Sequence, residues 1–102
     1  MKERAINKFN TVVKLTNPKE NNFSFAECLW FLRIRSGLNQ NEFAKQIEIS
    51  PLTYASYEKG LREPKIATIK QIADKSKVSM SWLCGEISQE ELNEILNIII
   101  TK

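Results

Sequence analysis

The chain has two cysteines, Cys28 and Cys84, and no histidine. Two distant thiols without His fall short of the four Cys/His-type ligands of a conventional zinc site. Both are expected to be reduced cytosolic thiols and bystanders. Without His the commonest general base is missing, so no Ser/His/Asp or Cys/His set can be assembled. No Gly-rich loop of the Walker or Rossmann kind occurs either. No catalytic residue, metal or cofactor is therefore expected, and the chain is not expected to be an enzyme. One stretch poses a different chemical question. "ISPLTYASYEKG", Ile49–Gly60, has Ser50 as a helix cap, Pro51 in the first turn and Gly60 as a stop. Its outward residues include Leu52, Thr53, Ala55 and Ser56, with no Arg, Asn or Gln among them. Such a face offers apolar contacts and single hydrogen bonds.

The elements that must hold this stretch are short helices. The 102 residues suffice for one domain with a modest core. The apolar share of 42% and charged share of 26% are those of an ordinary globular protein, and only three Gly and three Pro argue against a turn-rich β fold. Ile6, Phe9, Val12 and Val13 recur at helical spacing over 3–16. "TNPKENN", 16–22, reads as a linker around Pro18. Ser24 with Glu27, Asn39 with Glu42, and Ser88 with Glu91 have capping-box spacing. Gly37 stops the helix over 24–36, and Ser79 caps a short one over "MSWLC" that Gly85 stops. Residues 66–76 put Ile66, Ile69, Ile72 and Ala73 on one face. About seven short helices and no strand are expected. Apolar runs stay far below the ~18 residues of a membrane span, and the N-terminus lacks a secretory pattern, so a cytoplasmic location is expected.

Net charge is +3, a weak pointer to an anionic partner. Residues 1–22 carry five Lys/Arg against two Glu, whereas 86–102 carry four Glu against one Lys. The two helices 39–47 and 51–59, separated by a tight turn, form the pattern of a helix-turn-helix. Phe43, Ala44 and Ile47 face Ile49, Tyr54 and Tyr57, and Ala44 allows a close crossing.

"GLNQNEFAKQIEIS", "TYASYEKGLREP" and "IKQIADKSKVSMSWLCG" together resemble the phage-repressor class of helix-turn-helix domains, the Cro/C1-type or XRE-like family. Gln40, Glu42, Ala44, Ser50, Glu58, Gly60, Pro64 and the "VSxxWL" of Val78–Leu83 fall at its spacings over roughly Phe25 to Gly85. The resemblance implies an all-α, lambda-repressor-like five-helix DNA-binding domain over 23–85. A basic helix and linker over 1–22 and a dimerisation helix over 86–102 are added to it. It further implies that Gln40, at the start of the second helix, meets a phosphate or nearby base, with Asn39 in the usual Ser/Thr cap position. Ser50 opens the third helix, Pro51, Leu52 and Ser56 face base edges, and Thr53 lies beside them. Lys59, Arg62 and Lys65 approach the DNA backbone. Arg33 and Glu58 match a family ion pair, read as structural.

Two departures from the family pattern matter. Glu48 holds the turn position usually given to Gly, at a cost on the order of 1 kcal/mol for a left-handed backbone. The base-facing set lacks the side chains for bidentate readout of guanine or adenine. Contacts of Leu52 and Ala55 with thymine methyls, A·T-rich preference and reliance on shape and phosphates are expected instead. The helix 24–36 is apolar nearly all round, so Trp30 and Phe31 must be covered. Phe9 and Val13, or Leu92, Ile95, Leu96 and Ile99, are the candidates, and the latter four are assigned to dimerisation. The expected function is a sequence-specific transcriptional regulator, a repressor, binding an inverted repeat in double-stranded DNA as a homodimer. The alternative is a protein-interaction module of antitoxin or anti-repressor type that holds a protein partner with its terminal helices. No membrane contact is expected.

Overall fold

A computed structural model of the chain describes residues 8–17 and 22–101. Five of its helices open on a side chain that takes a backbone N–H otherwise left without a partner. Ser24 accepts from Glu27 N at 3.1 Å, Asn39 from Glu42 N at 2.8 Å, and Ser50 from Thr53 N at 3.2 Å. Ser79 and Ser88 do the same for Trp82 and Glu91. These caps start α2 (Phe25–Ser36), α3 (Gln40–Gln46), α4 (Pro51–Glu58), α6 (Met80–Leu83) and α7 (Gln89–Ile100). α1 (Lys8–Thr16) precedes them, and α5 (Ile66–Ser76) begins after Lys65 without a side-chain cap. All seven are α-helices, and no strand occurs among the described residues. The fold is all-α, as expected. The remainder of the expected 3–16 helix and the centre of the linker, with Pro18, lie outside the described residues.

The capping boxes at Ser24 and Asn39 are complete, since Glu27 and Glu42 reach back to the cap N–H. At Ser88 the box is half-formed. There Ser88 Oγ donates to Glu91 Oε1, and Glu91 Oε2 faces Arg35 Nη1 of α2 at 3.4 Å. The ion pair with a neighbouring helix replaces the local bond.

α2 runs through the centre and packs on α3, α4, α6 and α7, while α1 packs on α7. This answers what covers its apolar circumference. Cys28, Leu29, Trp30, Phe31 and Leu32 are all buried in one cluster with Leu15, Leu83, Leu92 and Ile95. Phe23 meets Phe31 edge-on at 5.2 Å between ring centroids. Close approach there requires Gly85, at φ +106°, where a Cβ would lie 2.8 Å from the Phe23 carbonyl oxygen.

The inward face of α1 differs from the expected one. Val13 is 47% exposed, while Thr11 and Leu15 are buried; the Phe9 side chain lies outside the described residues. The reason is a polar contact. Thr11 Oγ1 donates to Glu27 Oε2, and Lys14 Nζ reaches Glu27 Oε1 at 2.8 Å. Burial opposes ionisation of Glu27, yet the bonds from Lys14, Thr11 and Ser24 N hold its carboxyl below the usual value. Burial and the neighbouring Glu27 charge push the Cys28 thiol up to about 12, so it remains protonated and inert.

The α7 assignment needs correction at two positions. Leu92 and Ile95 are buried within the chain itself, against α2 and α1, so they present no surface to a second copy. Leu96 and Ile99 are partly buried against the same core, and Ile100 stays exposed. An Ile-rich run fills its own core before it offers any residue to another molecule.

Candidate nucleic-acid interface

The interface is built on the α3–α4 pair. Phe43 and Ala44 of the first helix and Ile47, which caps its end, are buried in one cluster with Tyr54 and Tyr57 of the second, with Phe43 and Tyr54 rings edge-on at 5.6 Å. Ala44 is fully buried at the crossing, as its size suggested. The turn between the helices closes through Ile49 N donating to Ala44 O at 2.9 Å. That geometry puts Glu48 in the left-handed region, at φ +62°. α5 supports the strained turn, because Gln71 Nε2 donates to the carbonyls of both Ile47 and Glu48, at 2.9 and 3.1 Å. Lys75 pairs with the Glu48 carboxylate at 2.9 Å, an exposed pair worth little by itself.

α4 is fixed from behind by one carboxylate. Glu58 Oε2 accepts from Arg33 Nε at 2.7 Å and from Tyr54 Oη at 2.6 Å. Glu58 Oε1 accepts from Arg33 Nη2 at 3.0 Å and from Gln40 Nε2 at 2.8 Å. Burial alone would raise the carboxyl pKa of Glu58, but these donors, led by Arg33, hold it below the ordinary value. Burial and the adjacent Glu58 charge raise that of the Tyr54 hydroxyl. The expected Arg33–Glu58 pair is therefore present and bidentate. The parts of Tyr54 and Gln40 in it were not anticipated. The Tyr54–Glu58 separation of four residues on one helix was a readable signal; the Gln40 tie, across two helices, was not.

With its rear so fixed, α4 turns its first residues outward. Pro51 is exposed and Leu52 is 82% exposed, while Thr53, Ala55 and Ser56 are half-buried. Ser50 Oγ donates to Thr53 Oγ1 at 2.9 Å, which leaves the Thr53 O–H free to donate outward. Asn39 is exposed and Gln40 half-buried at the start of α3. Lys59 follows α4 as its C-cap, Lys65 precedes α5, and both are exposed. The Arg62 guanidinium lies over the Tyr57 ring, 5.9 Å from its centroid, with the residue itself exposed. The ten predicted contact residues thus fall on three consecutive pieces of chain: the α3 start, α4, and the connector to α5. No cluster of metal-ligating side chains occurs among the described residues. No helix among them is long and apolar enough to cross a membrane.

Residues 31–83 match the sequence profile of the helix-turn-helix family, and the geometry of α3 and α4 agrees with it. The chain belongs to the helix-turn-helix family. Its Cro/C1-type, XRE-like character, read from Gln40, Ala44, Ser50, Glu58 and Gly60, is borne out. This helix-turn-helix chain is 37% identical over 72 residues to a Vibrio cholerae protein named cryptic phage CTXphi transcriptional repressor RstR. The aligned stretch is 71% of this chain and 64% of the relative, so the chain spans somewhat less than two thirds of that protein's length. No solved structure matches the chain.

Proposed function

We propose that the protein is a DNA-binding transcriptional regulator, a repressor, that binds an inverted repeat in double-stranded DNA with α4 in the major groove. The observation that carries this reading is the exposure of Pro51 and Leu52 on a helix whose rear is fixed by four bonds to Glu58. A rigid helix with an unpacked leading edge suits a groove. The similarity to a protein named as a phage transcriptional repressor supports the same reading. Leu52 and Ala55 pack on thymine methyls, Thr53 and Ser56 donate or accept single bonds, and Ser50 and Pro51 lie at the groove edge. Asn39, Gln40, Lys59, Arg62 and Lys65 take the flanking phosphates. The protein acts inside the cell, where its DNA is.

A two-fold dimer would set two α4 helices about 34 Å apart on successive major grooves. Residues 23–85 would read the DNA, and the terminal segments, 1–22 and 86–102, would complete the core and supply the seam. Within α7 the surface left for that seam is Leu96, Ile99 and Ile100.

Leu52 favours one second reading. An apolar side chain exposed to this degree also suits a protein partner, as in an antitoxin or anti-repressor. Selection of bound duplexes from a random pool, followed by sequencing, separates the two. An A·T-rich inverted repeat is expected. A folded protein that enriches no motif would rule out base reading and turn attention to a protein partner.

A further inference from the structure

We propose that Glu58 is a positioning residue for DNA binding: through its bond to Gln40 it aims that side-chain amide at the DNA backbone. The inference rests on the DNA-binding reading above. A carboxylate offers about four lone-pair sites and no donor. On Glu58 four donors fill them: Arg33 twice, Tyr54 and Gln40. Because the carboxylate only accepts, the Gln40 amide has one permitted orientation. Nε2 faces Glu58, since the flipped amide would set Oε1 against a carboxylate oxygen. One N–H of that nitrogen is used, and the second remains available to a ligand. Gln40 lines a shallow surface hollow together with Arg33, Asn39 and Asn41, whose side chains are donor-rich.

A free, half-exposed Gln samples many rotamers, and fixing it on binding costs conformational entropy. Here Glu58 fixes it before DNA arrives. The charge of Arg33 is already balanced by Glu58, so the contact made by Gln40 is that of a neutral donor. It should therefore add affinity without adding to the salt dependence, which follows the number of phosphates neutralised by cations.

The test is a double-mutant cycle on the full chain, read as affinity for a short random-sequence duplex at several salt concentrations. Thermal unfolding verifies that each variant folds. Gln40→Ala is expected to weaken binding roughly fivefold, the scale of one hydrogen bond, with the salt slope unchanged. In the Glu58→Gln background the same substitution should change affinity less than about twofold. A Gln at that position offers one oxygen, which Arg33 claims, and an amide nitrogen that cannot accept from Gln40. Tyr54→Phe removes a different donor from the same carboxylate, and Gln40→Ala must keep its full effect there. Additive losses from Gln40→Ala and Glu58→Gln overturn the inference while leaving DNA binding standing. A folded wild type that binds no duplex overturns both. Should Glu58→Gln fail to fold, the wild type decides by NMR. The Gln40 side-chain amide must show resolved, shifted proton resonances that move when duplex is added. Averaged resonances, or resonances that do not move, overturn the proposal.

Discussion

Arg33 Nε lies 2.7 Å from Glu58 Oε2 across the α2–α4 contact, at side-chain exposures of 15% and 3%. A pair so deeply placed is costly to break from one side, because the remaining charge stays buried. Arg33→Ala is expected to destabilise the protein by about 3–5 kcal/mol, read as a lowered midpoint in urea. A loss under 1 kcal/mol would mean that water reaches Glu58.

Acid should unfold the protein through two particular carboxylates. Glu27 and Glu58 both have folded-state pKa values below the ordinary 4.5. The unfolded chain therefore binds more protons in that range, and stability rises with pH. The contribution of both groups is full above about pH 4.5 and is lost as pH falls through their folded values. Unfolding free energy measured between neutral pH and pH 3 should fall chiefly below that point. A flat profile would contradict both assignments.

The turn carries a strain that can be relieved. Glu48 sits at φ +62° without the freedom of glycine. Glu48→Gly should leave the fold unchanged and raise stability by up to about 1 kcal/mol, offset slightly by the loss of the exposed pair with Lys75. Thermal unfolding measures this directly, and a lowered midpoint would show that the ion pair outweighs the strain.

The proposed association and the folding are expected to separate along α7. Ile95 is fully buried, whereas Ile100 is 64% exposed. Ile95→Asp is expected to abolish the fold, seen as loss of the helical circular dichroism signal, since it buries an unpaired charge. Ile100→Asp should keep that signal and give a monomer by sedimentation. A dimer that survives Ile100→Asp would exclude this end of α7 from the seam.

Leu52 is a test of base contact that folding does not confound. Its exposure predicts that Leu52→Ala changes stability by less than about 0.5 kcal/mol. Affinity for the selected operator should fall several-fold, while affinity for random duplex stays the same. Equal losses on both sequences would make Leu52 a backbone-side residue.

Local features were readable because their partners are near in sequence. The caps at Ser24, Asn39, Ser50, Ser79 and Ser88 each join residues three apart. The position of Glu48 in a tight turn between two helices required its left-handed backbone whatever the rest of the chain does. The face of α1 was not readable. Thr11 goes inward only because Glu27, sixteen residues on, accepts its hydrogen bond, and hydrophobic periodicity assigns no such partner.

By itself the sequence determined the helices, their caps, the spacing of α3 and α4 and the residues on the outward edge of α4. These depend on i, i+3 and i, i+4 relations, which the chain states directly. Only the tertiary structure decided that Leu92 and Ile95 serve the protein's own core, and that Glu58 gathers Arg33, Tyr54 and Gln40 around one carboxylate. Those outcomes turn on which buried surface or charge finds its partner across the fold. Apolar pattern measures the need for burial, and only packing specifies against what.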